Sequence, residues 1–276
     1  MKGKIMKANE NFKLSNNLLI PAIGFGTWQL PADKATEEVL ISALRNGYSH
    51  IDTARGYGNE NVVGAAVRKC GRAREEIFVT SKLPAEVKDP TAVVPSFEET
   101  LSELGLDYVD LYLIHAPWPW DRIGADYERE NVLIWHELEK IYRSGRAKSI
   151  GVSNFSVANL ENIMTSAKIV PHVNQIRYFI GDTEPDVVSY CREKNILVEA
   201  YSPLATGKLI RDERIKTIAD KYGKSWAQIC IKFCLQNDVL PLPKTADKDR
   251  AASNIDLDFE ISDSDMQYLR NLDRGF

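Results

Sequence analysis

The sequence is poor in the features that mark export, membrane insertion or metal cages. Its four cysteines, Cys70, Cys191, Cys230 and Cys234, show no CxxC spacing. Cys230 and Cys234 lie one helical turn apart, but no histidine or cysteine partners sit near them in the sequence. They read as small apolar residues on a helix face. No run of 18 apolar residues occurs, and the N-terminal stretch MKGKIMKANENFKL has no apolar signal core. Neither a membrane span nor a secretory leader is therefore expected, and cytoplasmic residence with reduced thiols is the default. Basic runs are absent and the net charge is −4, which argues against a nucleic-acid or membrane partner. Only four histidines are present. A metal-dependent hydrolase would want several His or Asp ligands together at strand ends, so no metal is expected. The G-x-G-x-x-G fingerprint of a dinucleotide-binding open sheet is missing too. The first strand-like run ends Gly24-Phe25-Gly26-Thr27-Trp28, with no third glycine and no immediate helix.

What is present is a chain of 276 residues, 44% hydrophobic and 27% charged, enough for one large core. Eight strand-like runs occupy residues 23–27, 50–54, 78–83, 109–115, 147–154, 172–176, 197–203 and 239–244. Segments with helical apolar spacing lie at 35–45, 61–69, 96–104, 132–143, from Ser156 onward, 184–194, 225–236 and 262–272. Strand alternating with helix eight times predicts parallel strands joined by right-handed crossovers. Eight such units close a (β/α)₈ barrel of the TIM type, in the α/β class, where five or six would leave an open sheet. Before the first run, Phe12 to Ile20 predicts a β-hairpin turning at Asn16-Asn17, both able to take positive φ. Such a hairpin would cap the bottom of the barrel. No linker or repeat divides the chain, so residues 1–276 are expected to form a single barrel domain.

Barrel enzymes carry their chemistry at the C-terminal strand ends. Run two ends at Asp52-Thr53-Ala54 with Tyr57 just beyond, run three near Lys82 and run four at His115. Taken alone, Asp52 and Lys82 fit a structural ion pair, His115 a core histidine, and Tyr57 a loop aromatic. Together, on adjacent strands, they would be costly to bury without pairing. They also compose a general acid. An ammonium beside a phenol favours the phenolate and should pull the tyrosine pKa below its usual value near 10. Asp52 would orient Lys82, and His115 could position a carbonyl oxygen. His50 shares parity with Asp52 and is expected one layer deeper, as a core histidine.

These residues stand within longer motifs. Gly47-Tyr48-Ser49-His50-Ile51-Asp52-Thr53-Ala54 with Tyr57, Glu60 and Gly64, then Leu113-Ile114-His115, then Gly151-Val152-Ser153-Asn154-Phe155, then Pro243-Lys244-Thr245 with Arg250 and Asn254, run in order along the chain. The set resembles the aldo-keto reductase family, and its compact form is similar to the bacterial branch that includes diketo-gluconate and methylglyoxal reductases. The resemblance implies NADPH-dependent reduction of aldehydes and ketones, with Tyr57 as proton donor assisted by Lys82, Asp52 and His115. It implies that Gly26, Thr27 and Trp28 lie beside the cofactor, and that Ser153, Asn154 and Gln175 bind the nicotinamide carboxamide. Tyr201 would stack on the nicotinamide ring. Ser202, Leu204 and Gly207 would touch the pyrophosphate. Lys244, Thr245, Arg250 and Asn254 would hold the adenosine ribose and its 2′-phosphate. Two departures bear on the substrate. Ser49 replaces the usual Arg, and Ala116 follows His115 where many relatives carry Trp. Trp28 and Trp118 are the expected walls of the substrate pocket, while Trp120 fits a wall or a surface loop equally. The tail after Asn254 ends at Phe276, too short for the long substrate loop of larger relatives. The partner expected is a small carbonyl compound bound by a monomer. The alternative is a barrel that binds NADPH without catalysis and reports redox state.

Overall fold

The computed structural model describes residues 6–273. The chain end at Phe276 and the first five residues of the N-terminal stretch lie outside the described residues. The chain opens with an antiparallel hairpin, β1 (Asn11–Lys13) and β2 (Leu19–Pro21), paired Asn11 to Pro21 and Lys13 to Leu19. Its inward side chains Phe12, Leu14 and Ile20 are buried. Asn16 Nδ2 donates to the Lys148 carbonyl at 3.0 Å, just ahead of the barrel strand that begins at Ile150, which ties the hairpin to the N-terminal end of the barrel. Only Asn17 takes a positive φ, of 70°, so the turn does not place both asparagines in the left-handed region as the Asn16-Asn17 pair had suggested.

Eight parallel strands follow: β3 (Phe25–Gly26), β4 (His50–Asp52), β5 (Phe78–Leu83), β6 (Leu111–Ile114), β7 (Ile150–Ser153), β8 (Val173–Arg177), β9 (Leu197–Tyr201) and β10 (Leu240–Leu242). Each pairs with the next in sequence, from β3 to β10. Two backbone bonds close the ring, from Gly24 N to Pro241 O and from Gly26 N to Pro243 O, both at 3.0 Å. All six residues of β5 are buried, as expected for a strand with side chains inside the barrel on one face and helices covering the other.

The helices between the strands are α1 (Lys34–Arg45), α2 (Glu60–Lys69), α3 (Val93–Leu104), α4 (Glu128–Arg143), α5 (Val157–Met164) and α6 (Pro185–Glu193). Both α7 (Glu213–Tyr222) and α8 (Trp226–Leu235) lie between β9 and β10, and α9 (Lys248–Ile255) and α10 (Asp263–Arg270) follow β10. Of these, α7 and α9 were not legible from apolar spacing. Local sequence sets the helix ends. The Asp33, Ser156, Ser225 and Ser262 side chains accept backbone N–H groups in the first turns of α1, α5, α8 and α10. Gly105 ends α3 at a φ of 59°, where a side chain is disfavoured. Gly64 serves a different need: a Cβ there would lie 1.7 Å from the Leu104 carbonyl oxygen, so glycine is what lets α2 press against the end of α3.

Candidate active site

The C-terminal ends of the strands open into a cleft of about 1370 Å³. Behind Asp52 and Tyr57, which line it, lies Lys82, which has no exposed surface. Its ammonium donates to Asp52 Oδ1 and Oδ2 at 2.8 and 2.7 Å, to the Thr53 carbonyl at 2.8 Å, and to Tyr57 Oη at 3.4 Å. Strand geometry explains the meeting. Asp52 ends β4 and is paired in register with Thr80, two residues before Lys82 on β5, so both side chains point into the barrel. Tyr57 arrives from the turn after β4, and its ring packs edge-on against His115 with centroids 5.5 Å apart. The structure therefore gathers Asp52, Tyr57, Lys82 and His115 at one point. His50 lies deeper, fully buried, with Nε2 2.9 Å from Thr80 Oγ1.

Charge at this point is finely set. Burial and the Lys82 ammonium push the His115 pKa down to about 3, so the ring is neutral at pH 7. Its Nδ1 has no hydrogen-bond partner among the described residues. Burial opposes the charge on Lys82, yet Asp52 and the Tyr57 oxygen more than compensate and hold its pKa above the usual lysine value. Tyr57 differs from expectation. Its pKa is raised, because burial of the phenol outweighs the pull of Lys82 and Asp52 offsets that ammonium. The phenol thus keeps its proton at neutral pH.

Along the cleft from this point lie Ser153, Asn154 and Gln175. Ser153 donates to the Gln175 carbonyl at 2.9 Å, Asn154 Nδ2 donates to the His115 carbonyl at 3.0 Å, and the Tyr201 hydroxyl donates to Asn154 Oδ1 at 2.7 Å. Tyr201, Ser202, Leu204 and Gly207 line the next stretch, with positive φ at Ser202, Ala205, Thr206 and Gly207. Three non-glycine residues in the left-handed region are a concentration typical of ligand-binding loops. The cleft is also lined by Lys244, Thr245, Arg250 and Asn254, the last two on α9. Lys244 and Arg250 are exposed, whereas Thr245 and Asn254 are buried.

Two expected residues fall elsewhere. Thr27 is fully buried and does not line the cleft; its hydroxyl donates to the Asp52 carbonyl at 2.9 Å, so it ties β3 to β4. Trp118 is not on the cleft wall either. The wall is Trp120, edge-on to His115 at 5.3 Å, with Trp118 packed against Trp120 at 5.4 Å. Gly26 and Trp28 do line the cleft. The cleft also takes in Arg177, Lys208 and Trp226, which the sequence did not single out.

These features fit a nicotinamide dinucleotide. The cleft is larger than the roughly 300–1,000 Å³ of an ordinary small-molecule site. Its lining combines amide and hydroxyl groups, an aromatic ring, a loop of left-handed backbone and two exposed cations. Such a set of groups suits a ligand that carries an amide, a planar ring and phosphates.

Comparison with known proteins agrees. The profile of the aldo/keto reductase family matches residues 22–274. A glyoxal reductase of Bacillus subtilis is 38% identical over 266 residues, covering 96% of this chain and 93% of its own. Among solved structures, an aldo/keto reductase from Brucella melitensis superposes with a TM-score of 0.88 at 37% identity, over 95% of this chain and 99% of that one. A Bombyx mori aldo-keto reductase in complex with NADP gives 0.86 at 32% identity, over 96% and 92%. Fold, cleft and sequence lead to one assignment: the chain belongs to the aldo/keto reductase family.

Proposed function

We propose that this protein reduces aldehydes and ketones to alcohols with NADPH as cofactor, acting as a single barrel domain. The observation that carries the reading is a protonated phenol, Tyr57, facing a cleft with a buried ammonium 3.4 Å behind it and a neutral histidine beside it. When bound, the cofactor supplies a hydride to the carbonyl carbon.

The protein's own groups do the rest. Trp28 and Trp120 confine the substrate, and the His115 ring donates one N–H to the carbonyl oxygen, which fixes its position. Tyr57 gives its proton to that oxygen as negative charge develops there. A phenol with a raised pKa is a poor acid in isolation, so Lys82 matters at this moment: its ammonium stabilises the phenolate that the transfer leaves behind. Asp52 holds Lys82 in place and charged. Gln175, Ser153 and Asn154 would hold the carboxamide, Tyr201 would stack on the ring, and Lys244 and Arg250 would receive the 2′-phosphate. Small aldehydes and dicarbonyls are the substrate class that the open, aromatic-walled cleft favours. Four buried, unpaired cysteines suit a reducing cytoplasm.

The test is Tyr57→Phe. Carbonyl-dependent consumption of NADPH should fall by about 10²–10⁴-fold, the usual contribution of a general acid. NADPH titration, followed by tryptophan fluorescence, should be unchanged, since the hydroxyl contributes nothing to the dinucleotide. Retention of more than a third of the wild-type kcat would overturn the assignment. If the wild-type protein bound NADPH and turned over none of a panel of aldehydes, the non-catalytic sensor would replace it.

A further inference from the structure

Inside the barrel one amide nitrogen is shared by two acids. Gln175 Nε2 donates to Asp52 Oδ2 at 2.9 Å and to Glu199 Oε2 at 2.8 Å. A side-chain amide has two N–H donors and one acceptor oxygen. With both donors engaged by carboxyl groups, Oε1 must face elsewhere, and Gln175 lines the cleft. Asp52 is a shared partner, since its Oδ2 also accepts from Lys82 at 2.7 Å, and one contact leaves the amide free to turn about it. Glu199 supplies the second acceptor. A flipped amide would set its oxygen against the Asp52 carboxylate, so Asp52 decides which end points inward, and Glu199, on the second N–H, fixes the rotation of the amide plane.

Glu199 lies on β9, two residues before Tyr201, and is fully buried. The proton-transfer chemistry does not call on it. Its Oε1 has no hydrogen-bond partner among the described residues, so an ionised carboxylate here would be poorly compensated. Burial, followed by the negative charge of Asp52, pushes its pKa up to about 8, and the Gln175 hydrogen bond and Lys82 only partly oppose them. At neutral pH Glu199 is a neutral acid.

We propose that Glu199 is a positioning residue, which orients the Gln175 amide so that its oxygen is offered to the cleft as an acceptor for a carboxamide N–H. The inference rests on the nicotinamide reading, since the nicotinamide carboxamide is the ligand group that brings such a donor. The same geometry links Glu199 to proton transfer. The charged groups facing it are Asp52 from β4 and Lys82 from β5; Gln175 on β8 is neutral, and its register neighbour on β10, Leu240, is apolar. Loss of its proton places a second negative charge beside the Asp52–Lys82 pair and opposes formation of the Tyr57 phenolate.

The experiment compares wild type, Glu199→Gln and Glu199→Leu in titrations with NADPH and with its 3-acetylpyridine analogue, whose ketone replaces the amide and has no N–H. At pH 7, Glu199→Leu should weaken NADPH by about 5- to 10-fold, the worth of one hydrogen bond. It should leave the analogue within about two-fold. Glu199→Gln, which keeps an acceptor oxygen, should bind both as wild type does. The wild-type kcat for carbonyl reduction should then fall between pH 7 and 9, while that of Glu199→Gln stays level. Equal loss of both dinucleotides in Glu199→Leu, or loss of neither, would overturn the proposal. Should Glu199→Leu fail to fold, a Glu199→Gln profile that follows the wild-type fall would overturn it equally. A wild-type protein that bound neither dinucleotide would bring down the nicotinamide reading itself, a result distinct from either of these.

Discussion

Lys82 is an ammonium with no exposed surface, a state that costs several kcal/mol unless every donor is engaged. Here Asp52, the Thr53 carbonyl and Tyr57 engage them all. Replacing Lys82 with methionine leaves Asp52 buried with Gln175 as its remaining hydrogen-bond donor among the described residues. Breaking a buried pair in this way costs about 3–5 kcal/mol. We therefore expect Lys82→Met to melt at a clearly lower temperature and to lose most of its kcat at saturating cofactor; full activity would refute the role given to the pair. The meeting of these residues was legible in the sequence, because side-chain parity along a strand places Asp52 and Lys82 on the same face without any knowledge of loops. What parity cannot supply is the path of a loop. That is why Trp120, five residues past His115, forms the wall that Trp118 was expected to form. Nor does parity weigh burial against charge, which is why the Tyr57 pKa moves up rather than down. Glu199 is hidden from such reasoning for a plainer cause. It lies inside its run, two residues before the end of β9 and one layer below the strand ends.

Alternation breaks at particular points of the elements, and the breaks build the site. Ser153 and Asn154 are consecutive, yet both line the cleft. In an extended strand they would face opposite sides; a φ of 62° at Asn154 ends β7 and turns its side chain back. Ser202, with a φ of 52°, does the same after Tyr201. Six of the eight strands are accordingly shorter than the runs that signalled them, while β5 fills its run and β8 keeps its length one residue further on. The two helices that apolar spacing does not reveal bury few residues, α7 Ile215, Ile218 and Ala219, and α9 Ala251 and Asn254. Helix packing also rests on single atoms. At Gly64 a methyl group would collide with backbone rather than with a yielding side chain. We expect Gly64→Ala to destabilise the fold by about 3 kcal/mol, the upper part of the range for overpacking. This should appear as a melting temperature lower by about 6–12 °C. An unchanged melting temperature would mean that α2 can move away from α3 at no cost.

At the scale of the whole molecule, buried acids and buried histidines set opposite pH trends. Glu60, whose Oε1 accepts from Ser81 at 2.6 Å, has a pKa raised to about 7 by burial, and Glu199 one of about 8. The folded state binds these protons more tightly than the unfolded chain, so their stabilisation is complete below the ordinary carboxylate range and is lost as pH rises through 7 and 8. His50 and His115, both lowered to about 3, act in the other direction: the folded state is favoured above the usual histidine range and loses ground as pH falls toward 3. The two trends oppose each other between roughly pH 4.5 and 6.5. Melting temperature should therefore be nearly level across that interval and decline from pH 6.5 to 8, and Glu60→Gln should make the decline shallower; a variant with the wild-type slope would remove Glu60 as a cause. The ring itself has one unusual joint. Where β3 meets β10, Gly24 and Gly26 donate to Pro241 and Pro243, and prolines have no N–H with which to answer. Traffic across this joint runs one way, so it is a clasp rather than a weld. Trp28 hangs just past one side of the clasp, while Lys244 and Arg250 hang past the other. A ligand that spans the cleft would be a pin through both halves, and the protein would grip its own circumference most firmly when it is holding something.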